Sequence, residues 1–321
     1  MDTPSNRQNF LLGSIIWSNY YCSHLGNGCA MTSQLFFQSL VNGLTLSAIY
    51  ILVALGLTLL FSIIHVLNFA HGELLMLGAY LFYYFLGLNL FRGVLLNFIP
   101  GLILGMVVIG FLGVGIERVF FRPIRGKVVQ GLILSMGLSM FIQGSSLWGF
   151  GAADKAVPRV FHGVISFGTV SLSVERLMVI LISAALVIGL HVFVTYTKAG
   201  SAMRAIEQNP EGAALQGISA DFTNALAFFI AAGLAATAGV LIAPMFSINP
   251  VMGEGILLKA FMIIILGGIG SVYGCIAGGL AIGFMESFVT VLIGAEVANG
   301  VGFIIIILVV LSRPKGILGY D

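Results

Sequence analysis

Nine apolar stretches succeed one another along the chain, at about 40–64, 72–90, 97–116, 128–149, 177–196, 221–245, 253–270, 273–293 and 299–312. Each approaches the roughly 20 residues that carry a helix across a bilayer. Only 8% of the residues are charged, against about a quarter in a soluble domain. The expected fold is therefore all-α: a polytopic membrane helix bundle of about eight to nine spans, occupying residues 35–321. The stretches 253–270 and 299–312 are short, so tilted, broken or re-entrant segments are expected there. Glycine, at 42 residues, is about twice as frequent as average, as suits close helix packing in lipid.

Residues 1–34 are different in kind, polar and aromatic with one short apolar run, Phe10–Trp17. That run is too short to span, and no A-x-A cleavage site follows it, which argues against a signal peptide. Met31 is the expected functional start, and a chain beginning there is expected to insert and transport normally. An extracellular tail is the alternative. Cys22, Cys29 and Cys275 form no disulfide framework; Cys275, in an apolar span, reads as a small packing residue.

Basic residues gather in three places: Arg118, Arg122, Arg125 and Lys127; Lys198 and Arg204; Arg313 and Lys315. Two spans separate the first group from the second and four separate the second from the third. All three fall on one side, which the positive-inside rule makes cytoplasmic, the C-terminus included. The loop between the fourth and fifth spans is then external, and Val160–Val174 reads as a small β-hairpin turning near Gly168. It suits either a protein-binding lip or a cover for helix ends. A net charge of +2 argues against nucleic acid as a partner.

Arg122-Pro123 after the third span and Arg313-Pro314 after the ninth suggest a parallel internal repeat, since both units begin and end on the same sides. Each is preceded by a break between apolar segments, Asn68–Gly72 and Gly267–Gly274. Many transporters are built from repeats with the pathway between them.

At the first break, Asn68, His71 and Glu73 are costly residues near a membrane interior and favour a bundle core or an aqueous path. One reading is a broken helix lining a translocation route; the other is a cytoplasmic turn with Asn68 and His71 capping helix ends. His65 reads as packed or interfacial. Ser271 at the second break and Glu286 within an apolar span are the other pathway candidates, Glu286 being equally suited to bonding a neighbouring helix. Glu117 reads as the ion-pair partner of Arg118. No metal-ligand cluster, nucleophile–base pair or nucleotide fingerprint is present, so the chain does not read as an enzyme.

The segment 196–219, on the cytoplasmic side, has a different character. Helix formers run over 201–208, and Asn209-Pro210 stops that helix. The same pair starts another, with Asn209 as N-cap, Pro210 at N1 and Glu211 complementing the dipole. Gly217 closes it. The short helix would present Ala213, Ala214 and Leu215 as a small apolar docking surface; an ordinary surface loop is the plainer reading.

Several stretches together resemble the permease subunits of bacterial branched-chain amino acid ABC importers. They are Leu67–Glu73 with Met76–Tyr80, Glu117-Arg118 with Arg122-Pro123, Ala205 to Ile218, Leu266–Ser271, and Arg313–Gly316. The resemblance runs from about Met31 to the C-terminus. Urea and short-amide importers have similar permeases, and these motifs do not separate them. The resemblance implies a multi-pass protein of the bacterial inner membrane, with a second homologous permease and two cytosolic ATPase subunits. It also implies a periplasmic binding protein that delivers substrate. No cofactor is implied in this chain; ATP and Mg belong to the ATPases. The stretch Glu211–Gly217 resembles the E-A-A-x-x-x-G coupling loop of importers, with Gly212 in place of the first Ala. ATPase coupling would then fall to Arg204, Glu207, Asn209, Pro210, Glu211, Ala213, Ala214, Leu215 and Gly217. The competing class is a standalone channel or secondary carrier using His71, Glu73 or Glu286 as ion or proton sites.

Overall fold

The structure is a computed structural model that describes residues 33–88, 94–161, 163–167, 170–268, 270–313 and 316. The N-terminal segment, Pro314-Lys315 and the turn at Gly168 lie outside the described residues.

Eleven α-helices are present among the described residues. The long ones are α1 (Ser33–Ile64), α3 (Val94–Ile116), α4 (Val128–Phe150), α5 (Val174–Tyr196), α8 (Ala220–Ile242) and α10 (Val272–Leu292). These six are long and apolar enough to cross a membrane. Three shorter apolar helices join them: α2 (His71–Gly87), α9 (Met252–Gly267) and α11 (Ala295–Ser312). Two small helices, α6 (Lys198–Gln208) and α7 (Pro210–Leu215), follow α5. The expected hairpin forms: β1 (Val164–Phe167) and β2 (Val170–Ser173) pair antiparallel, with Phe167 opposite Val170.

α1 and α8 form the centre. Along α8 the run from Ala231 to Val240 is buried throughout. The reason is steric. Apolar side chains gain nothing by leaving lipid for protein, so close approach of backbones must hold helices together. Gly78 of α2 packs against the Ala236 backbone, and Gly239 of α8 against the Leu75 carbonyl; no Cβ would fit at either glycine. Hydroxyls on these central helices turn back onto their own backbones, as when Ser47 and Thr237 donate to the Gly43 and Gly233 carbonyls. That satisfies them where water is absent. α10 lies along α1, α3 lies along α8, and α4 and α5 keep most of their surface exposed.

The bundle has two ends. At one end Val66 lies against Gly131 at the start of α4, Arg125 bonds Asp221 at the start of α8, and Gly270 neighbours Ser62 and Glu207. At the other end Phe82 meets Phe98 edge-on near the start of α3, Phe150 stacks on Tyr80 with ring centroids 4.3 Å apart, and Lys155 pairs with Ile248. The basic groups Arg118 to Lys127, Lys198, Arg204 and Arg313 all belong to the first end.

Glu117 does not pair with Arg118 as expected. A turn of π-helix over Glu117–Phe121 rotates it inward, where it accepts from Arg125 at 2.7 Å. His65 ends α1 with a left-handed backbone, φ 55°, and is exposed, as an interfacial histidine would be.

Candidate functional site

Residues 65–70 are not helical. They run back along α4 as a non-helical strand of chain: Val66 lies against Gly131, Ser135 Oγ donates to the Leu67 carbonyl at 3.2 Å, and Ser139 Oγ donates to Glu73 Oε1 at 3.2 Å. Thus α2 starts well inside the bundle, not at its end, and 17 residues carry it to the opposite end. Asn68 and His71 are fully buried and Glu73 is 2% exposed. His71 sets its ring against Gly56 of α1. The Asn68 side chain accepts from Ala70 N at 3.1 Å, an Asx turn that starts the helix, while its Nδ2 and Glu73 Oε2 have no partner.

The same construction occurs a second time. After α8 the chain turns back at Asn249, whose side chain accepts from Val251 N at 3.2 Å, and α9 starts three residues after it, as α2 starts three residues after Asn68. The sequences agree: Asn68-Phe-Ala-His-Gly72-Glu73 and Asn249-Pro-Val-Met-Gly253-Glu254. The starts of α2 and α9 touch through Gly72 and Gly253. From that contact α2 runs to the end that holds Phe98, and α9 runs to the end that holds Glu207 and Ser62. The two shorter helices therefore diverge from a shared point inside the bundle. The relation between these units is inverted, whereas the expected parallel repeat paired Arg122-Pro123 with Arg313-Pro314. The second break thus falls at 243–251, and Gly267–Gly274 is a tight turn between α9 and α10 in which Gly267 and Gly274 lie backbone to backbone.

Two pathway candidates have local partners. Ser271 is the N-cap of α10, its Oγ accepting from Gly274 N at 3.0 Å. Glu286 is paired with Lys259 of α9, Nζ to Oε2 2.9 Å, and Lys259 also donates to Asn299 of α11 at 2.5 Å. Lys259 was missed in the sequence reading, although a lysine inside an apolar span is signal enough. Asn249, Gly253 and Glu254 were missed too, and the Asn-x-x-x-Gly-Glu match was the signal. Cys275 is buried and its Sγ lies 2.8 Å from Thr58 Oγ1, as a packing cysteine would.

The segment 196–219 folds as its sequence requires. Thr197 caps α6, Asn209 Oδ1 caps α7 by accepting from Gly212 N at 2.9 Å, and Gly217 closes α7 with φ 80° while Ile218 N donates to the Ala213 carbonyl. Only a glycine takes that left-handed closing position without strain. Met203, Ile206 and Ala213 pack with Ile63 and Ala227, fixing both helices to α1 and α8. Ala213 therefore faces the bundle, and the outward apolar surface is Ala214 and Leu215, the latter 88% exposed. Glu207, Pro210 and Glu211 are also exposed. Arg204 instead braces its own chain, donating to the Thr195 carbonyl and Ser201. Among the described residues no three His, Cys, Asp or Glu side chains are grouped to hold a metal.

The family described as branched-chain amino acid transport system / permease component matches residues 39–311. The chain is 35% identical over 294 residues to the high-affinity branched-chain amino acid transport system permease protein LivH of Escherichia coli, covering 88% of this chain and 96% of the relative. It is 36% identical over 296 residues to BraD, the corresponding permease protein of Pseudomonas aeruginosa, with the same coverage. A probable branched-chain amino acid permease of Methanocaldococcus jannaschii is 29% identical over 294 residues, covering 86% and 90%. No solved structure matches.

Proposed function

The chain belongs to the branched-chain amino acid permease family, and from that premise we propose that it is one of two permease subunits of an ATP-driven importer of branched-chain amino acids. A periplasmic binding protein delivers the substrate to one face, and two cytosolic ATPases, which carry ATP and Mg, act on the other. All nine apolar helices enter the bilayer, α2 and α9 as shorter segments whose starts meet inside it. The end bearing Arg118 to Lys127, α6, α7 and the C-terminus is cytoplasmic, because the basic residues collect there.

The observation that carries this reading is the α6–α7 unit. A six-residue helix capped at both ends, with Leu215 exposed and Ala213 buried in the apolar cluster that also holds Ile63 of α1 and Ala227 of α8, is a rigid knob on the cytoplasmic end. An isolated helix of that length would not hold in water; its caps and its apolar anchor hold it here. A knob so fixed passes a push from an ATPase to α1 and α8, the two central helices. Ala227, in the same anchor, is one helical turn from Ala231, which lies against Gly56 beside His71. ATPase movement thereby reaches the start of α2.

Ala214→Asp and Leu215→Asp test it, because each puts an unpaired charge into the docking surface. The permease should still reach the membrane, with ATPase co-purification and leucine uptake both reduced. Thr197→Ser, which keeps its capping hydroxyl, should change little. Unchanged uptake and ATPase binding in both Asp variants would remove the docking role.

A further inference from the structure

We infer that Glu73 and Glu254, brought together by the Gly72–Gly253 contact, form a cation-recognition site that receives the ammonium group of the substrate inside the bundle. The inference rests on the importer reading above and assigns it residues.

Three observations meet at this point. First, α2 and α9 both begin here, and each carries a glutamate at its third position. One acid at a helix start is explained by the dipole. A second acid, Glu254, beside the other member of the same Gly72–Gly253 contact is not, and a positive group received between the two would offset their mutual repulsion. Second, Glu73 is 2% exposed and its Oε1 accepts from Ser139 while Oε2 has no partner. A buried carboxylate oxygen left unbonded is costly, and ionisable groups inside membranes mark pathways by default. Third, Glu254 is exposed, on a stripe of α9 that also surfaces at Leu258 and Ile265. That stripe of α9 is open on this subunit, and a second permease would close it. Lys259 does not neutralise the pair, since it is committed to Glu286 and Asn299.

Substrate and site match in kind. An amino acid brings one ammonium with three N–H donors, and the two glutamates offer acceptors to it, with the Ser139 hydroxyl orienting one of them. The apolar surface of Leu258 suits a branched side chain. Charge-assisted bonds of this type outweigh neutral ones.

The test uses the whole importer in liposomes: this chain, its second permease, the ATPases and the binding protein. Radiolabelled leucine accumulated per ATP hydrolysed is measured for wild type, Glu73→Gln, Glu254→Gln and the double variant. Gln keeps the shape and can still accept from Ser139. Each single variant should lose about ten-fold in leucine per ATP, the effect of one hydrogen bond to a charged group. ATP hydrolysis stimulated by loaded binding protein should persist, and Glu73→Asp should recover part of the yield. An assembled double variant with the wild-type yield would overturn the inference; should the double variant fail to assemble, a wild-type yield from Glu254→Gln alone would do so. Replacing sodium by choline should leave wild-type uptake unchanged; a strict sodium requirement would assign the carboxylates to a free ion and overturn it as well. A wild-type complex that hydrolyses ATP yet accumulates no leucine would strike the functional reading, which is a different outcome from unaffected variants.

Discussion

A Cβ built on Gly72 would stand 2.5 Å from the carbonyl oxygen of Gly253, and one built on Gly253 would collide with the carbonyl of Gly72. α2 and α9 thus touch backbone to backbone, and no other residue type allows it. Both glycines are helical, so their role is close approach and not an unusual backbone angle.

Gly72→Val or Gly253→Val should therefore force the starts of α2 and α9 apart. Overpacking of this kind costs about 1–3 kcal/mol. The expected result is a lower melting temperature of the purified protein and lost uptake. Gly115→Ala, at a position open on all sides, should melt like wild type.

The proposed membrane sidedness can be tested at the two ends of the bundle. In a cysteine-free background, Lys127→Cys and Gln208→Cys should resist a membrane-impermeant thiol reagent in intact cells, and Arg159→Cys on the opposite end should label. Ready labelling at Gln208 from outside would reverse the proposed orientation.

The Lys259–Glu286 pair is nearly buried, with side chains 10% and 16% exposed. Removing one partner strands the other, at a cost of about 3–5 kcal/mol for a buried pair. Lys259→Met alone should sharply reduce the folded yield in detergent. Adding Glu286→Leu should restore most of it. Two independent losses that simply add would show that the pair is not the reason for the lysine.

Arg125 serves two acids, the buried Glu117 and the exposed Asp221, both at 2.7 Å. Arg125→Ala leaves Glu117, 2% exposed, without its cation, and should lower thermal stability clearly. Arg122→Ala, which removes only a half-exposed partner of Asp221, should cost no more than ~1 kcal/mol. Unfolding scans of the two variants in parallel would separate these outcomes.

The helices were largely legible because apolar runs of membrane length leave few alternatives. The caps at Asn209 and the closing Gly217 were legible for the same local reason: side-chain chemistry and a left-handed backbone. Where Ala213 points was not, since it is decided in part by Ile63, which is far away in sequence. The inverted relation between the two breaks was hidden as well. Residues 72–90 look like a full span in hydropathy, and only the bonds from Ser135 and Ser139 show that the stretch before them has turned inward. The pairing of Glu117 with Arg125 over its neighbour Arg118 depends on one π-turn that no periodicity announces.

Trp148, 93% exposed near the far end of α4, acts as a depth gauge. Indole rings settle at the headgroup level of a bilayer, and Lys127, just before α4, belongs in water at the other surface. About 30 Å of helix separates them at 1.5 Å per residue, which is about the thickness of the hydrocarbon layer. Ser139 falls near the middle of that rise, and Glu73, which accepts its hydrogen bond, lies at the same level. A solute resting there would be about equally far from both aqueous phases.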